Sequence, residues 1–143
     1  MSFKTSRGVL LTGLLLASTV FGMSTARAEN GYRYMHNGSV MRLFWEEGDG
    51  VRIFYETPRA RLNIRPGTTL FEGSISANGE IYGSAVIFSG TCGQIEYQVS
   101  GSFTHGEDTS PFVLSGKAPV RNDACEVVQY SSQNSNSRLV FTY

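Results

Sequence analysis

The chain has 143 residues, 41% of them hydrophobic and 17% charged, with 12 lysines and arginines against 12 aspartates and glutamates. That length suits one domain around a single core. No excess of positive charge is present, and the balance left after the expected loss of Lys4, Arg7 and Arg27 is mild and of the wrong sign for releasing counterions from a phosphate backbone, so nucleic acid is not an expected partner.

Residues 1–28 read as an export signal. Lys4 and Arg7 give a positive start, Val9 to Phe21 form an apolar run broken only by small or polar residues, and Ala26-Arg27-Ala28 fits the small-x-small cleavage pattern. Cleavage is expected after Ala28, leaving residues 29–143 as one domain of 143 − 28 = 115 residues. Lys4, Arg7 and Arg27 leave with the signal while every acid stays, so the mature balance is 12 − 3 = 9 basic against 12 acidic groups, or −3. The apolar run falls short of the roughly 20 residues that span a bilayer as a helix, and no later segment comes near that length. The expected location is the periplasm or the exterior, with no transmembrane helix.

Beyond Ala28, short period-two runs recur between glycine-bearing breaks, and no apolar stripe of helical period appears. Met41, Leu43 and Trp45 alternate with Arg42 and Phe44. Gly48-Asp49-Gly50 then provides a turn, and Val51, Ile53 and Tyr55 alternate with Arg52, Phe54 and Glu56, which predicts a hairpin. Pro58 should end the second strand for want of an N–H, and Pro66-Gly67 marks a further corner.

Leu70 to Ser76 and Glu80 to Phe88 form the next predicted pair, joined through Ala77-Asn78-Gly79, where Asn-Gly readily takes the positive φ angles of tight hairpins. Gly83 removes a side chain within the second of these strands, as happens where a sheet bends or a neighbour comes close. From Gln94 to Phe103, Ile95, Tyr97, Val99 and Phe103 face one way and Glu96, Gln98, Ser100 and Ser102 the other, so one side is core and the other solvent. Phe112 to Val120 and Arg138 to Tyr143 supply two more strands, with Ser131 to Ser137 expected as a mobile polar loop. The sum, about seven or eight short antiparallel strands, predicts an all-β fold, a small single-domain barrel in preference to a sandwich.

Cys92 and Cys125 are the only cysteines, and in an exported chain a lone pair is expected to bridge. Closing a loop of that length stabilises the fold by about 3.8 kcal/mol in the chain-entropy account.

Groups for catalysis are sparse. A hydrolytic triad needs an imidazole, and the two histidines, His36 and His105, each fall beside glycine or asparagine in an expected solvated loop; there is no Gly-x-Ser-x-Gly elbow. The histidines show no zinc-ligand spacing, so no metal is expected. Glu46, Glu47, Glu56, Glu72, Glu80 and Glu96 could furnish a carboxylate pair, but their strand positions read as surface acids. No glycine loop introduces a helix that could cradle a phosphate, and no cofactor is implied.

The most suggestive feature is an arginine cluster, Arg52, Arg59, Arg61 and Arg65, near Trp45, Phe54 and Tyr55. A guanidinium grips carboxylates bidentately or stacks on rings, so a carboxylated cell-wall peptide or acidic glycan would suit such a patch. The plainer reading pairs these arginines with Glu46, Glu47 and Glu56 across the hairpin, where ion pairs contribute little.

Two resemblances follow. Arg61-Leu62-Asn63-Ile64-Arg65-Pro66-Gly67 is similar to the Leu-Asn-Val-Arg-x-Gly opening of bacterial SH3 modules, which bind cell-wall peptides. Here proline takes the x position, the usual Gly-Pro pair is missing and the later strands depart from the module's spacing, so the likeness stops there. His36-Asn37-Gly38-Ser39-Val40-Met41, Phe54-Tyr55-Glu56-Thr57-Pro58-Arg59, Arg65-Pro66-Gly67-Thr68-Thr69-Leu70-Phe71-Glu72-Gly73, and Cys92-Gly93 followed by Tyr97-Gln98-Val99-Ser100-Gly101 together resemble an exported domain of rhizobia and related alphaproteobacteria. That domain occurs alone or appended to caspase-like proteins. The resemblance implies export and carries no activity or site residues with it.

The expected function is that of a non-catalytic exported β-barrel module that binds an envelope component or a protein partner through a face carrying Trp45, Tyr55, Arg59 and Arg61. Two alternatives stand beside it. One is a carrier, in the manner of lipocalins or avidin, of a small apolar ligand inside the barrel. The other is an inhibitor of a lysozyme or protease, using an exposed loop at Ser131 to Ser137 or Thr104 to Pro111. An outer-membrane barrel would want strands of about 9 to 11 residues and a continuous apolar outer face, which these runs lack.

Overall fold

The computed structural model describes residues 31–104 and 110–143. The expected export signal and His105 lie outside the described residues. Within them the alternating runs form ten strands: β1 (Tyr32–His36), β2 (Ser39–Trp45), β3 (Gly50–Thr57), β4 (Thr69–Ile75), β5 (Glu80–Ser89), β6 (Gly93–Ser102), β7 (Phe112–Ser115), β8 (Ala118–Arg121), β9 (Val127–Ser131) and β10 (Arg138–Phe141).

Eight of these make one antiparallel sheet in the order β1-β2-β3-β4-β5-β6-β7-β10, and β8 and β9 form a separate hairpin. The sheet curls until its edges meet. Met35 of β1 bridges Thr142 just past β10, with N–H···O contacts of 2.6 and 3.0 Å in the two directions. The all-β barrel expected from the sequence is therefore present, closed at this seam by a single bridge.

Alternation does the sorting. In β2 and β3, Met41, Leu43, Val51, Ile53 and Tyr55 point inward, with Leu43 opposite Ile53, while Arg42, Phe44, Arg52 and Phe54 point outward. In β6, Tyr97 and Val99 are buried and Gln94, Glu96, Gln98 and Ser100 exposed. The interior is packed with side chains: Tyr34, Phe112 and Phe141 stack or meet edge to face with centroids 4.6–6.4 Å apart, and Phe103 joins Phe112 at 5.4 Å. Such aromatic contacts each contribute about 0.5–1.5 kcal/mol beyond area burial.

The turns also differ from expectation. The two-residue hairpin with both residues at positive φ is Asn37-Gly38 (48° and 78°), between β1 and β2. At Ala77-Asn78-Gly79 only Gly79 is left-handed, at 83°, and the turn is closed by Gly79 N–H to Ser76 O and Ser76 N–H to Glu80 O.

Three stretches are organised otherwise than the sequence predicts. Tyr32–His36 is a strand, so His36 is not in a solvated loop; its ring is 6% exposed and stacks on Phe141 at 5.1 Å. Phe112 to Val120 is not one strand. The chain leaves the barrel after Ser115, Gly116 N–H turns to Ser137 O, and Ala118 begins the β8–β9 hairpin. Ser131 to Ser137 is not an unstructured loop. It closes β9 and then makes a 3-10 turn, because Asn134 caps Asn136 N–H at 2.8 Å and the buried Ser137 hydroxyl donates to Ser132 O and Asn134 O.

Cys92 and Cys125 are bridged, with Cα atoms 5.3 Å apart. The bond ties the tip of the β8–β9 hairpin to the start of β6. Arg121 reinforces it by donating to Cys92 O at 2.7 Å and Gly93 O at 3.1 Å. No helix among the described residues is long and apolar enough to cross a membrane.

Candidate functional site

Because the barrel is an antiparallel meander through β7, the β1–β2 turn, the β3–β4 loop, the β5–β6 turn and the segment between β7 and β10 all gather at one end. There they leave a cavity of about 160 Å³. His36, Tyr55 and Tyr97 reach it from the strands, Leu62, Phe88 and Leu139 supply apolar walls, and Arg59, Asn37 and Asn136 stand at its lip.

The β3–β4 loop is held in place by its ends. Tyr55 N–H donates to Thr68 O at 2.9 Å and Gly67 N–H to Tyr55 O at 2.7 Å, while Leu62 N–H returns to Arg59 O at 2.9 Å. Arg59 is fixed by its own N–H to the buried Ser39 hydroxyl, 3.0 Å, and by its guanidinium to Asn37 O, 3.3 Å. The cation thus stands over the mouth.

Each buried polar group has a definite state. His36 Nδ1 lies 3.0 Å from Val140 O and must carry the proton, so Nε2 accepts from the Asn37 amide at 3.2 Å. Burial holds this imidazole below its usual range, against the Val140 hydrogen bond, and the Arg59 charge adds to the lowering. It is neutral at neutral pH. Tyr97 donates to Asn136 O, and burial pushes its phenol up to about 12. Tyr55 is 5% exposed and kept protonated by burial, with the Arg59 charge opposing. No protein group among the described residues hydrogen-bonds its hydroxyl, and the residue lines the cavity. A phenol and an arginine therefore line the same small space.

The four residues expected to form one binding face are divided between the ends. Tyr55 and Arg59 share the mouth, and Arg61 lines the adjoining groove of about 540 Å³ with Arg65, Leu62 and Phe88. Trp45 sits at the far end of β2, edge-on to Phe103 at 5.8 Å, beside Gly48 and Asp49. The reason is strand length: β2 and β3 run the barrel's height between Trp45 and Arg59.

The expected ion pairs are redistributed as well. Arg52 meets Glu46 at 3.3 Å and also covers the Phe54 ring at 5.2 Å. Glu56 instead takes Arg33 and Arg42, both through contacts of 2.9 Å, and these neighbours hold its carboxyl at about 2, well below the carboxylate range. Arg59, Arg61 and Arg65 are exposed and lie within ion-pair distance of no carboxylate among the described residues.

Sequence reasoning missed His36, Asn37 and Tyr97 as parts of the mouth. The signal for the first two was the alternation Tyr32-x-Tyr34-x-His36 running into Asn37-Gly38, which places His36 on the inner face next to a hairpin turn.

Elsewhere a hollow of about 720 Å³ lies open on the outer face of β4 and β5, bordered by Glu46, Glu72, Glu96, Ser84 and Gln94. No group of three histidine, cysteine, aspartate or glutamate side chains is placed to hold a metal among the described residues. The β8–β9 hairpin exposes Val127, Val128 and Tyr130. Comparison with models of protein families, with curated proteins and with solved structures finds no match to the chain in any of the three.

Proposed function

We propose that the protein is a non-catalytic exported module, working in the periplasm or outside the cell, that binds an acidic cell-envelope component with the arginine-bearing end of its barrel. The observation that carries this reading is the trio Arg59, Arg61 and Arg65: one loop, all exposed, none neutralised by a carboxylate among the described residues, and set around an open mouth. Cations left unpaired in this way are available to bind a ligand's carboxylates bidentately. The filled interior favours contact at an end over storage of an apolar ligand inside. His36 has both ring nitrogens engaged, which favours a supporting role over that of a general base.

Export is supported by the signal-like residues 1–28, by the disulfide, which suits an oxidising compartment, and by the resemblance to exported rhizobial domains. The test is retention of the purified protein on an envelope extract. Wild type is expected to be retained in a salt-sensitive manner, and Arg59→Ala with Arg61→Ala to be released. Equal retention of the variant would overturn the reading.

A second reading rests on the β8–β9 hairpin, which is clamped at its tip and presents Val127, Val128 and Tyr130 to solvent, as an inhibitor of a lysozyme or protease would present its contact residues. Titration against a panel of wall hydrolases and proteases tests it, with loss of hydrolase activity expected and reversed by Tyr130→Ser.

A further inference from the structure

The mouth is specific in what it lacks and in what it leaves unused. No acidic side chain among the described residues borders it, and its buried polar groups are satisfied in pairs, His36 with Val140 O and Asn37, and Tyr97 with Asn136 O. Two donors remain. Tyr55 is a buried residue whose hydroxyl has no protein acceptor among the described residues and stays open to solvent, and the Arg59 guanidinium gives only one long hydrogen bond, to Asn37 O. The space is about 160 Å³, well under the roughly 300–1,000 Å³ of sites for drug-sized molecules. Its walls beside the two donors are the apolar Leu62, Phe88 and Leu139.

We propose that this mouth is a site for a single terminal carboxylate carried on a small apolar residue, such as the carboxyl end of an alanine-terminated peptide, held between the Tyr55 hydroxyl and the Arg59 guanidinium. This deepens the preceding section and rests on its reading that the arginine end is the binding end. One guanidinium and one hydroxyl supply one charge and a few donors, which match a planar monoanion. A phosphate dianion would ask for a second cation, and His36, the nearest candidate, is neutral with both nitrogens engaged. The acceptor oxygens satisfy Tyr55, and the methyl group meets the Leu62 and Leu139 walls. Arg61 and Arg65, in the adjoining groove, lie outside this cup and would serve the rest of a longer acidic ligand.

The experiment is titration of the disulfide-bonded protein with N-acetylalanine, N-acetylalaninamide and inorganic phosphate, read by the ring resonances of His36 and Tyr55. Saturable shifts are expected with N-acetylalanine and none with the amide or with phosphate at the same concentrations. Tyr55→Phe keeps the ring and is expected to weaken binding about 2- to 10-fold, the loss of one hydrogen bond. Arg59→Gln is expected to weaken it by at least about tenfold, the loss of a charged pair. Arg61→Gln with Arg65→Gln should release the protein from envelope extract.

Equal binding of acid and amide, tighter binding of phosphate, or an acid that does not saturate would overturn the proposal. If the small acid fails while retention on envelope extract still depends on Arg61 and Arg65, the end-on carboxylate falls and the broader reading of the arginine end survives.

Discussion

Gly73 of β4 lies directly opposite Gly83 of β5, and their backbones approach so closely that a Cβ on Gly73 would stand 2.2 Å from Tyr82 O, 2.8 Å from Gly83 Cα and 2.7 Å from the tip of the Phe71 ring. Both are inward positions, between Phe71 and Ile75 on one strand and Ile81 and Ala85 on the other. The two missing side chains let the sheet coil and give the Phe71 ring its place in the core. A methyl group there has nowhere to go, since two of its three neighbours are backbone.

Gly73→Ala is therefore expected to destabilise the fold by about 2 kcal/mol or more, in the upper range for overpacked cores. Urea unfolding measures it. A variant as stable as wild type would show that the β4–β5 approach is looser than described.

Replacing Cys92 and Cys125 together by serine should lower stability by about 3–4 kcal/mol, the loop-closure effect for a span of 33 residues. The loss should be uneven. With the bridge gone the hairpin tip keeps the Arg121 hydrogen bonds to Cys92 O and Gly93 O, so β8 and β9 amides should lose hydrogen-exchange protection before those of β2 to β6. Uniform loss of protection would count against a barrel that stands without its hairpin.

Glu56 carries an acid-sensitive part of the stability. Its folded value, about 2, lies below the ordinary 4.5 because Arg33 and Arg42 hydrogen-bond the carboxylate. The stabilisation is present above that ordinary value and is lost as pH falls from there toward 2. Glu56→Gln should cost up to about 1 kcal/mol at pH 7, in keeping with partly exposed pairs, and nothing below pH 2. Denaturant melts of both proteins across this range test it, and added salt should shrink the difference at pH 7.

His36 acts in a higher window. Burial lowers its folded value below the ordinary 6.5, so the unfolded chain takes up the proton first and stability falls as pH drops through 6.5. His36→Phe keeps the stack on Phe141 and removes the proton site. It should lose about 1 kcal/mol at neutral pH, for the orphaned Val140 carbonyl, and be flat between pH 6.5 and the onset of the Glu56 effect. An unchanged slope in the variant would place the proton uptake elsewhere.

Strands β2 to β6 were legible because their inner and outer faces differ residue by residue: Leu43 and Ile53 inward, Arg42 and Arg52 outward. The same rule failed between Phe112 and Val120. Apolar residues continue on both sides of Gly116, and only the hydrogen bond from Gly116 N–H to Ser137 O shows that the chain has left the barrel. Val127 to Ser131 was illegible for the opposite reason, since Val127 to Tyr130 are all exposed and no alternation of buried and exposed residues marks the strand. Of the site, Tyr55 and Arg59 stood out by residue type. Their meeting with His36 and Tyr97 did not, and neither did the separation of Trp45, because both depend on which strand ends share a rim.

Residue order alone determined the β class, the inward and outward faces of the central strands, the stop at Pro58 and the partnership of the two cysteines, since each follows from local geometry or from parity. The tertiary structure decided that β10 returns to β1, that Glu56 takes Arg33 and Arg42, and that Arg59 and Tyr55 line one cavity with His36 and Tyr97. Those are relations between segments far apart in the chain, and closure of the sheet on itself is what brings them together.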